Sequence, residues 1–302
     1  MKRLSKLLLL AVFSVNNALA QEQMSIRQQT FPTEMPTDDV NIEWQRTIYR
    51  EVNLMDEENY GLYCPQEQTE NQKGLFLQIF NLAVKKHIPI YRYVIDGNED
   101  FNEDSQVDIN DILTNHHIYF EEEDGQVFVD EEDIPSAAVM AYYIKEGVFY
   151  DQTNSTFRRK VEALCPVLVE DDEFSEGHTR YPLFWVRYKD VEPFLKNITI
   201  IPNWKNSART MSLTDFFTRN MYKGDIYKVA NALGRTLRQM VDSDSALVTV
   251  QQQIENEIRN VRRKTYNTYY SPAQTTKKDK PVRQRRTMPS KNKETTKDDS
   301  EK

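Results

Sequence analysis

A long hairpin pattern near the middle of the chain constrains the fold more than any other feature. Two runs rich in β-branched and aromatic residues, 139–150 and 157–169, lie on either side of the polar stretch 151–155. Runs of this kind around a turn predict two paired antiparallel strands. The sequence therefore places an antiparallel sheet at the centre of the fold.

Shorter apolar runs extend this sheet. Strands are predicted over 89–95, 118–120, 127–129 and 183–188, and the turn residues Asp124 and Gly125 separate the second run from the third. We expect these short runs to join the hairpin in one mainly antiparallel arrangement.

Helical patterns lie on both sides of the sheet segments. Apolar residues recur at three- and four-residue spacing over 44–54 and 71–86, and again over 216–221, 226–241 and 247–261. Ser212 precedes the third of these segments as a helix-capping residue. The predicted class is α+β, a mainly antiparallel sheet flanked by N- and C-terminal helices.

The two ends of the chain differ from its body. Residues 1–20 carry Lys2, Arg3 and Lys6, then a short apolar run and small residues, which is typical of a cleaved secretory signal peptide. Residues 21–40 are polar and aperiodic, and are predicted to be an extended linker before a domain over 41–270. Residues 271–302 hold ten Lys/Arg and five Asp/Glu, which predicts a disordered basic tail.

Charge is distributed unevenly along the chain. Removing +3 for residues 1–20 and +5 for residues 271–302 from the net charge of −8 leaves about −16 for residues 21–270. The body is acidic, and the basic tail has no aromatic residues among its cations. Both features argue against nucleic-acid binding. After signal cleavage we expect an exported protein that associates with a membrane only through partners.

Cysteine and histidine are scarce. Cys64 and Cys165 are the two cysteines, and an oxidising compartment permits a disulfide between them; two buried free thiols are the alternative. Of the four histidines, His116 and His117 are adjacent and cannot share a helix face. With no nucleophile elbow and no P-loop, the sequence predicts a protein that is not an enzyme.

An acidic segment resembles one calcium-binding loop. Oxygen-bearing residues recur over 100–111, but Ser105 stands where the sharp turn of an EF-hand loop requires glycine. The candidate calcium ligands are Asp100, Asn102, Asp104, Asp108 and Asp111. A solvated acidic loop is the alternative, and calcium is the one cofactor considered.

Two sets of apolar residues are candidates for partner contacts. Leu247, Ile254, Ile258 and Val261 form a narrow stripe on the last predicted helix, which must dock either on a partner or on its own domain. A second set consists of aromatic residues that serve either as interface anchors or as core. These residues are Trp44, Tyr49, Trp185 and Tyr188.

Several stretches together carry a resemblance to a known family: 44–54 with 59 and 62–63, 133–136, 142–146, 163–168, 182–188, 212–217 and 222–228. In these stretches the chain resembles the GldN/PorN family, the gliding-motility and type IX secretion proteins of Bacteroidetes. The stretches occur in order within residues 40–265.

The resemblance implies a periplasmic, non-enzymatic scaffold peripheral to the outer membrane. Such a protein is expected to form a homo-oligomeric ring with an outer-membrane lipoprotein of the GldK/PorK type. It is also expected to contact the periplasmic part of the inner-membrane GldM/PorM motor subunit. The alternative from the residues alone is a calcium-dependent or glycan-binding periplasmic module that uses the segment 100–111.

Overall fold

A curled antiparallel sheet organises the protein. The computed structural model describes residues 42–63, 74–152, 156–171, 178–202 and 210–270, so the predicted signal peptide, linker and tail lie outside the described residues. The predicted central hairpin is confirmed as strands β4 (Val139–Asp151) and β5 (Thr156–Asp171). These two strands pair along most of their length.

The remaining strands extend the hairpin or form two small ribbons. The main sheet has the order β10-β1-β4-β5-β6, with β7 also paired to β5. The strands outside the hairpin are β1 (Ile42–Asn53), β2 (Glu121–Glu123), β3 (Gln126–Phe128), β6 (His178–Pro182), β7 (Val186–Arg187), β8 (Thr199–Ile200), β9 (Met211–Ser212) and β10 (Asp225–Val229).

Helices cover the sheet, which confirms the predicted α+β class. They are α1 (Leu75–Val84), α2 (Ile109–Asn115), α3 (Tyr188–Leu195), α4 (Leu213–Thr218) and α5 (Asp244–Tyr270). The predicted cap at α4 is confirmed, since the Ser212 hydroxyl accepts a hydrogen bond from the Asp215 amide at 3.1 Å.

The predicted helix over 44–54 is wrong, because this segment is strand β1. Trp44, Ile48 and Val52 are four residues apart, and that spacing fits one face of a strand as well as one face of a helix. β1 pairs with β4 on one edge and with β10 on the other. Two partner strands satisfy its backbone groups, so tertiary pairing decided the conformation.

The predicted helix over 226–241 is also wrong. Its first part is strand β10, in which Ile226 and Lys228 are both buried, on opposite faces of the sheet because the register with β1 shifts between them. Farther on, Gly234 has a φ of +64°, a left-handed conformation that ends regular structure. A 3₁₀ turn over Arg238–Met240 follows, and the chain reaches α5.

The short predicted strands are borne out in part. Asp124 and Gly125, with φ of 51° and 74°, form the predicted tight turn between β2 and β3. Residues 118–120 are not a strand, and within 89–95 only Tyr91 makes a bridge, to Gln106 and to Trp185. These segments are short, so their side-chain contacts outweigh their strand preference.

Each face of the sheet packs against a different layer. One face carries the largest apolar cluster, which includes Val52, Ile144 and Leu164 beneath helices α1 to α4. The same face continues as a smaller cluster beneath α5. The opposite face carries Tyr49 and Trp185 in an aromatic cluster. Among the described helices, none combines the length and the apolar character needed to span a bilayer.

Candidate interaction site

Helix α5 lies on the sheet through the stripe that the sequence singled out. Ile254 and Ile258 are only 5% and 8% exposed, and they share a cluster with Ile48, Val148 and Ile226 of the sheet. From the same stripe, Leu247 packs partly buried against this cluster and Val261 is half-buried. The stripe is therefore covered by the protein's own sheet. Of the two alternatives, a partner or its own domain, the stripe docks on its own domain.

Polar contacts fix α5 in place on both sides of this stripe. Glu255 and Glu257 form ion pairs with Arg50 and Arg46 of β1. Gln251 donates from its side-chain nitrogen to the Ile226 carbonyl of β10 at 2.9 Å. The contacts of α5 thus reach two neighbouring strands of the sheet and set its position along them.

A charged group lies buried in the sheet face, close to α5. The Arg50 Nε atom lies 3.1 Å from Glu146 Oε2, and the two side chains are 5% and 0% exposed. Glu146 Oε1 accepts from Arg159 and, at 2.5 Å, from the Tyr222 hydroxyl. Arg50 also donates to the Gly224 carbonyl at 2.9 Å. We call Arg50, Glu146, Arg159 and Tyr222 the charge network.

The network holds its members in defined ionisation states. Burial by itself lowers the pKa of the Arg50 guanidinium, but Glu146 and Glu255 more than offset this, so its pKa lies above the usual value. Burial and the nearby Glu146 carboxylate both raise the pKa of the Tyr222 hydroxyl well above its ordinary range. At neutral pH, Arg50 is therefore a cation and Tyr222 is a neutral donor.

A second buried ion pair lies on the opposite face of the sheet. Lys228 Nζ is 3.0 Å from Glu99 Oε1 and donates to the Gly97 carbonyl at 2.7 Å. The same Nζ lies 4.7 Å from the centre of the Tyr49 ring, a cation–π contact. This pair ties strand β10 to the loop that contains Gly97 and Glu99.

The four aromatic residues considered as interface anchors lie in or against the core. Trp185, Tyr49 and Tyr188 are buried, and Tyr49 and Trp185 meet edge to face with ring centres 6.2 Å apart. Trp44 is half-buried and packs against the cluster beneath α5. All four therefore serve the core rather than acting as interface anchors.

Sequence reasoning missed an exposed apolar group on two adjoining loops. Ile95, Leu233 and Met240 are 77%, 67% and 58% exposed. Their loops are joined by hydrogen bonds from the Asn98 amide to the Asn231 carbonyl at 3.0 Å and from Gln239 to Asp96 at 2.9 Å. We call Ile95, Leu233 and Met240 the apolar tip.

The signal for the apolar tip was obscured by the wrong helix at 226–241. A helix over 226–241 would place Leu233 on its apolar face, whereas the chain turns there and leaves this side chain in solvent. The charge network was missed for a related reason. Glu146 falls within an apolar strand, and only the folded sheet brings Arg50 and Arg159 to it.

The acidic segment adopts short local structures. Asp108 caps α2 by accepting from the Asn110 amide at 3.0 Å, and it pairs with Lys86 at 3.2 Å. Asp100 accepts from the Asn102 amide at 3.2 Å, and Asp104 lies in a 3₁₀ turn before the helix. Over the described ranges, no group of three or more His, Cys, Asp or Glu side chains is arranged to hold a metal ion.

Cys165 is buried in β5 and is not bonded to any other described cysteine. Burial, with a smaller effect of Glu99, raises the pKa of this thiol well above its ordinary value. Cys64 lies outside the described residues, so the two alternatives for the cysteines, a bridge and two buried thiols, both stay predictions.

Comparison with known proteins identifies the family. No curated protein matches the sequence. The family model described as "Gliding motility associated protein GldN" matches residues 37–267, which include every described strand and nearly all of α5. The matched region is well over half of the chain and contains both the charge network and the apolar tip. The chain therefore belongs to the GldN family of gliding-motility-associated proteins.

Proposed function

We propose that the protein is a non-enzymatic scaffold subunit of the type IX secretion and gliding-motility machinery. After signal-peptide cleavage it resides in the periplasm, at the inner side of the outer membrane. There it forms a ring-like complex with an outer-membrane lipoprotein of the GldK/PorK type, and it contacts the periplasmic part of a GldM/PorM-type motor subunit. Membership of the GldN family is the observation that carries this proposal.

The arrangement of the buried charges supports a structural role. Both oxygens of Glu146 are bonded, Oε2 to Arg50 and Oε1 to Arg159 and Tyr222. Arg50 in turn pairs with Glu255 of α5. These groups therefore join three strands and a helix to one another, as expected of a body that transmits force by contact.

The apolar tip is the surface that we assign to the lipoprotein. Contiguous exposed apolar patches mark interaction sites, and the hydrogen bonds between the two loops bring the segments that carry Ile95, Leu233 and Met240 together. Hydrogen bonds between the two loops hold Ile95 and Leu233 on a fixed base, so binding costs little ordering of the backbone. A partner with an apolar surface at its periplasmic domain would cover them.

Co-purification from the envelope tests this function. Cells that make a tagged full-length chain are cross-linked and extracted in mild detergent, and the proteins recovered with the tag are identified and sized. We expect a GldK/PorK-type lipoprotein and ring-sized particles from the unaltered chain. The double variant Ile95→Asp with Leu233→Asp should recover less than about a tenth of that lipoprotein, a loss of about 1.4 kcal/mol or more.

A matched variant separates the tip from general surface effects. Phe128 is 52% exposed in the separate ribbon of β2 and β3, and Phe128→Asp should recover the lipoprotein at the unaltered level. Recovery of the tagged chain alone, as a monomer, would overturn the scaffold function. Normal recovery with the double variant would overturn the assignment of the tip and leave the scaffold function standing.

A further inference from the structure

A cleft of about 510 Å³ is lined by residues of strand β5, of helices α3 and α5, and of the end of α4. Its volume lies within the range of small-molecule binding sites. Buried apolar side chains, among them Val161 and Phe217, form part of the lining. One carboxylate, Glu192, and five cationic residues complete it. The cations are Arg158, Arg159, Lys160, Arg219 and Arg262.

Arg159 is held at this cleft by the charge network. Its guanidinium forms an ion pair with Glu146 and lies 5.2 Å from the centre of the Tyr222 ring. The side chain is still 23% exposed, so part of it can be reached from solvent. Its Nε donor is buried and has no hydrogen-bond partner in the part of the chain that the structure describes. A buried donor without an acceptor is costly, and an anion bound beside this guanidinium would offset that cost.

Arg262 reaches the cleft as a continuation of the stripe on α5. Ile254, Ile258 and Arg262 are four residues apart, so they lie on one face of the helix. The two isoleucines pack on the sheet, and the next position of the same row is a cation that lines the cleft. Docking of α5 on the sheet therefore also places Arg262.

Arg219 is fixed by the way α4 ends. The Met221 amide donates to the Phe216 carbonyl at 3.1 Å, and Asn220 has a φ of +50°, which is the geometry of a closed helix C-terminus. The Asn220 side chain also donates to the Arg159 carbonyl at 3.3 Å, and this bond ties the end of α4 to β5. Arg219 is thus held on a fixed backbone next to Arg159.

The charges of the cleft do not balance. The charge network together with Glu255 is neutral, because its two cations face two carboxylates. Arg219 and Arg262 are exposed, and neither forms an ion pair with a described carboxylate. In the lining itself, the cations outnumber the single carboxylate Glu192. The cleft is therefore positive on a protein whose body is acidic.

We propose that this cleft binds a phosphate group, carried either by a soluble phosphorylated compound or by the headgroup of an anionic phospholipid. Guanidinium groups bind phosphate oxygens through short, charge-assisted hydrogen bonds. A phosphate group presents acceptor oxygens in several directions, so it can bond to arginines from β5, α4 and α5 at once. A carboxylate has only two oxygens, which lie in one plane. The buried apolar lining strengthens these bonds, because charges beside it are less screened than in water.

Calorimetric titration of the purified chain with inorganic phosphate tests the proposal. We expect one site with a Kd below about 1 mM. The double variant Arg219→Gln with Arg262→Gln should weaken binding at least about tenfold, which corresponds to about 1.4 kcal/mol. Both side chains are exposed, so the variant should fold normally, and its melting curve checks this.

A second double variant removes the same charge elsewhere. Arg235 and Arg263 are exposed and do not line the cleft. Arg263 directly follows Arg262 on α5 and points about 100° away from it. Arg235→Gln with Arg263→Gln should leave the affinity for phosphate unchanged. Both double variants keep the basic residues 271–302, so any binding by that segment contributes equally to both.

Flotation with vesicles of phosphatidylcholine and phosphatidylglycerol distinguishes the two sources of phosphate. If the ligand is a lipid headgroup, the unaltered chain and the Arg235/Arg263 variant should float with the vesicles, and the Arg219/Arg262 variant should not. If the ligand is a soluble compound, phosphate should bind in the cleft and none of the three proteins should float.

Two results would overturn the proposal. The first is the absence of heat of binding up to about 10 mM phosphate, which leaves no site of useful affinity. The second is an equal affinity for phosphate in the two double variants, which would place the binding outside the cleft. Neither result bears on recovery of the lipoprotein, so this proposal fails independently of the proposed function.

Discussion

The Arg50 guanidinium and the Glu146 carboxylate form an ion pair in the middle of the sheet, with Nε and Oε2 3.1 Å apart and both side chains shielded from solvent. The pair lies between the apolar cluster beneath α1 to α4 and the cluster beneath α5. Through Glu255, Arg50 also links the sheet to α5. Arg50, a single buried cation, therefore joins the two apolar clusters on this face of the sheet.

Removing the charge of Glu146 should strongly destabilise the protein. We expect Glu146→Gln to lower the free energy of unfolding by about 3 kcal/mol, because Arg159 loses its counter-charge and the buried Arg50 keeps only the more exposed Glu255. The measurement is urea denaturation followed by circular dichroism. Arg180→Met is the matched control. It breaks the more exposed pair with Glu51 and should cost less than about 1 kcal/mol. Equal losses for the two variants would contradict the role given to burial.

Shortening one side chain beneath α5 should also be costly. Ile254→Ala removes apolar volume from a site that is only 5% exposed, and we expect a loss of about 2 to 4 kcal/mol in the free energy of unfolding. Val248→Ala, on the exposed side of the same helix, should change it by less than about 0.5 kcal/mol. If Ile254→Ala were as mild as the control, α5 would not be docked on the sheet in solution.

The cap of α2 should make a pH-dependent contribution. Hydrogen bonding to the Asn110 amide, with help from Lys86, holds the pKa of Asp108 below its usual 3.8. Asp108→Ala should cost about 1 kcal/mol at pH 7. A depressed pKa stabilises the fold above the unfolded value, so the cost should shrink as the pH falls through and below 3.8. A cost that is the same at acidic and neutral pH would argue against capping by the carboxylate. Asp104→Ala, which removes a carboxylate that does not cap α2, is the control.

Calcium should leave the melting temperature unchanged. Asp108 is committed to capping α2 and to Lys86, and Asp100 to the Asn102 backbone, so binding would have to break these contacts. We expect melting curves in millimolar calcium and in excess chelator to agree within about 1 °C. A reversible rise of several degrees with calcium would support the alternative calcium-dependent module instead.

The Cys165 thiol should be unreactive in the native protein. Burial keeps it protonated, and only the thiolate is a good nucleophile. We expect iodoacetamide to modify Cys165 only after denaturation, as measured by peptide mass spectrometry. The same experiment without reductant decides between the two alternatives for the cysteines, since a bond to Cys64 would block modification of both cysteines even in denaturant. Rapid modification under native conditions would contradict the buried position.

Short-range sequence patterns determined the parts of this protein that depend on residues close together along the chain. The hairpin of β4 and β5, the turn at Asp124 and Gly125, the cap at Ser212 and the amphipathic stripe of α5 could each be predicted from residues close together in sequence. Family membership could be predicted as well, because it rests on the order and spacing of residues along the chain.

Tertiary structure decided the rest. β1 and β10 become strands because pairing with neighbouring strands satisfies their backbone groups, whereas their side-chain spacing fits either conformation. The contacts between Arg50 and Glu146 join residues 96 positions apart, and those between Asn98 and Asn231 join residues 133 apart. No local sequence pattern predicts contacts between residues so far apart along the chain. Only the folded sheet brings the buried charges together and leaves the apolar tip in solvent.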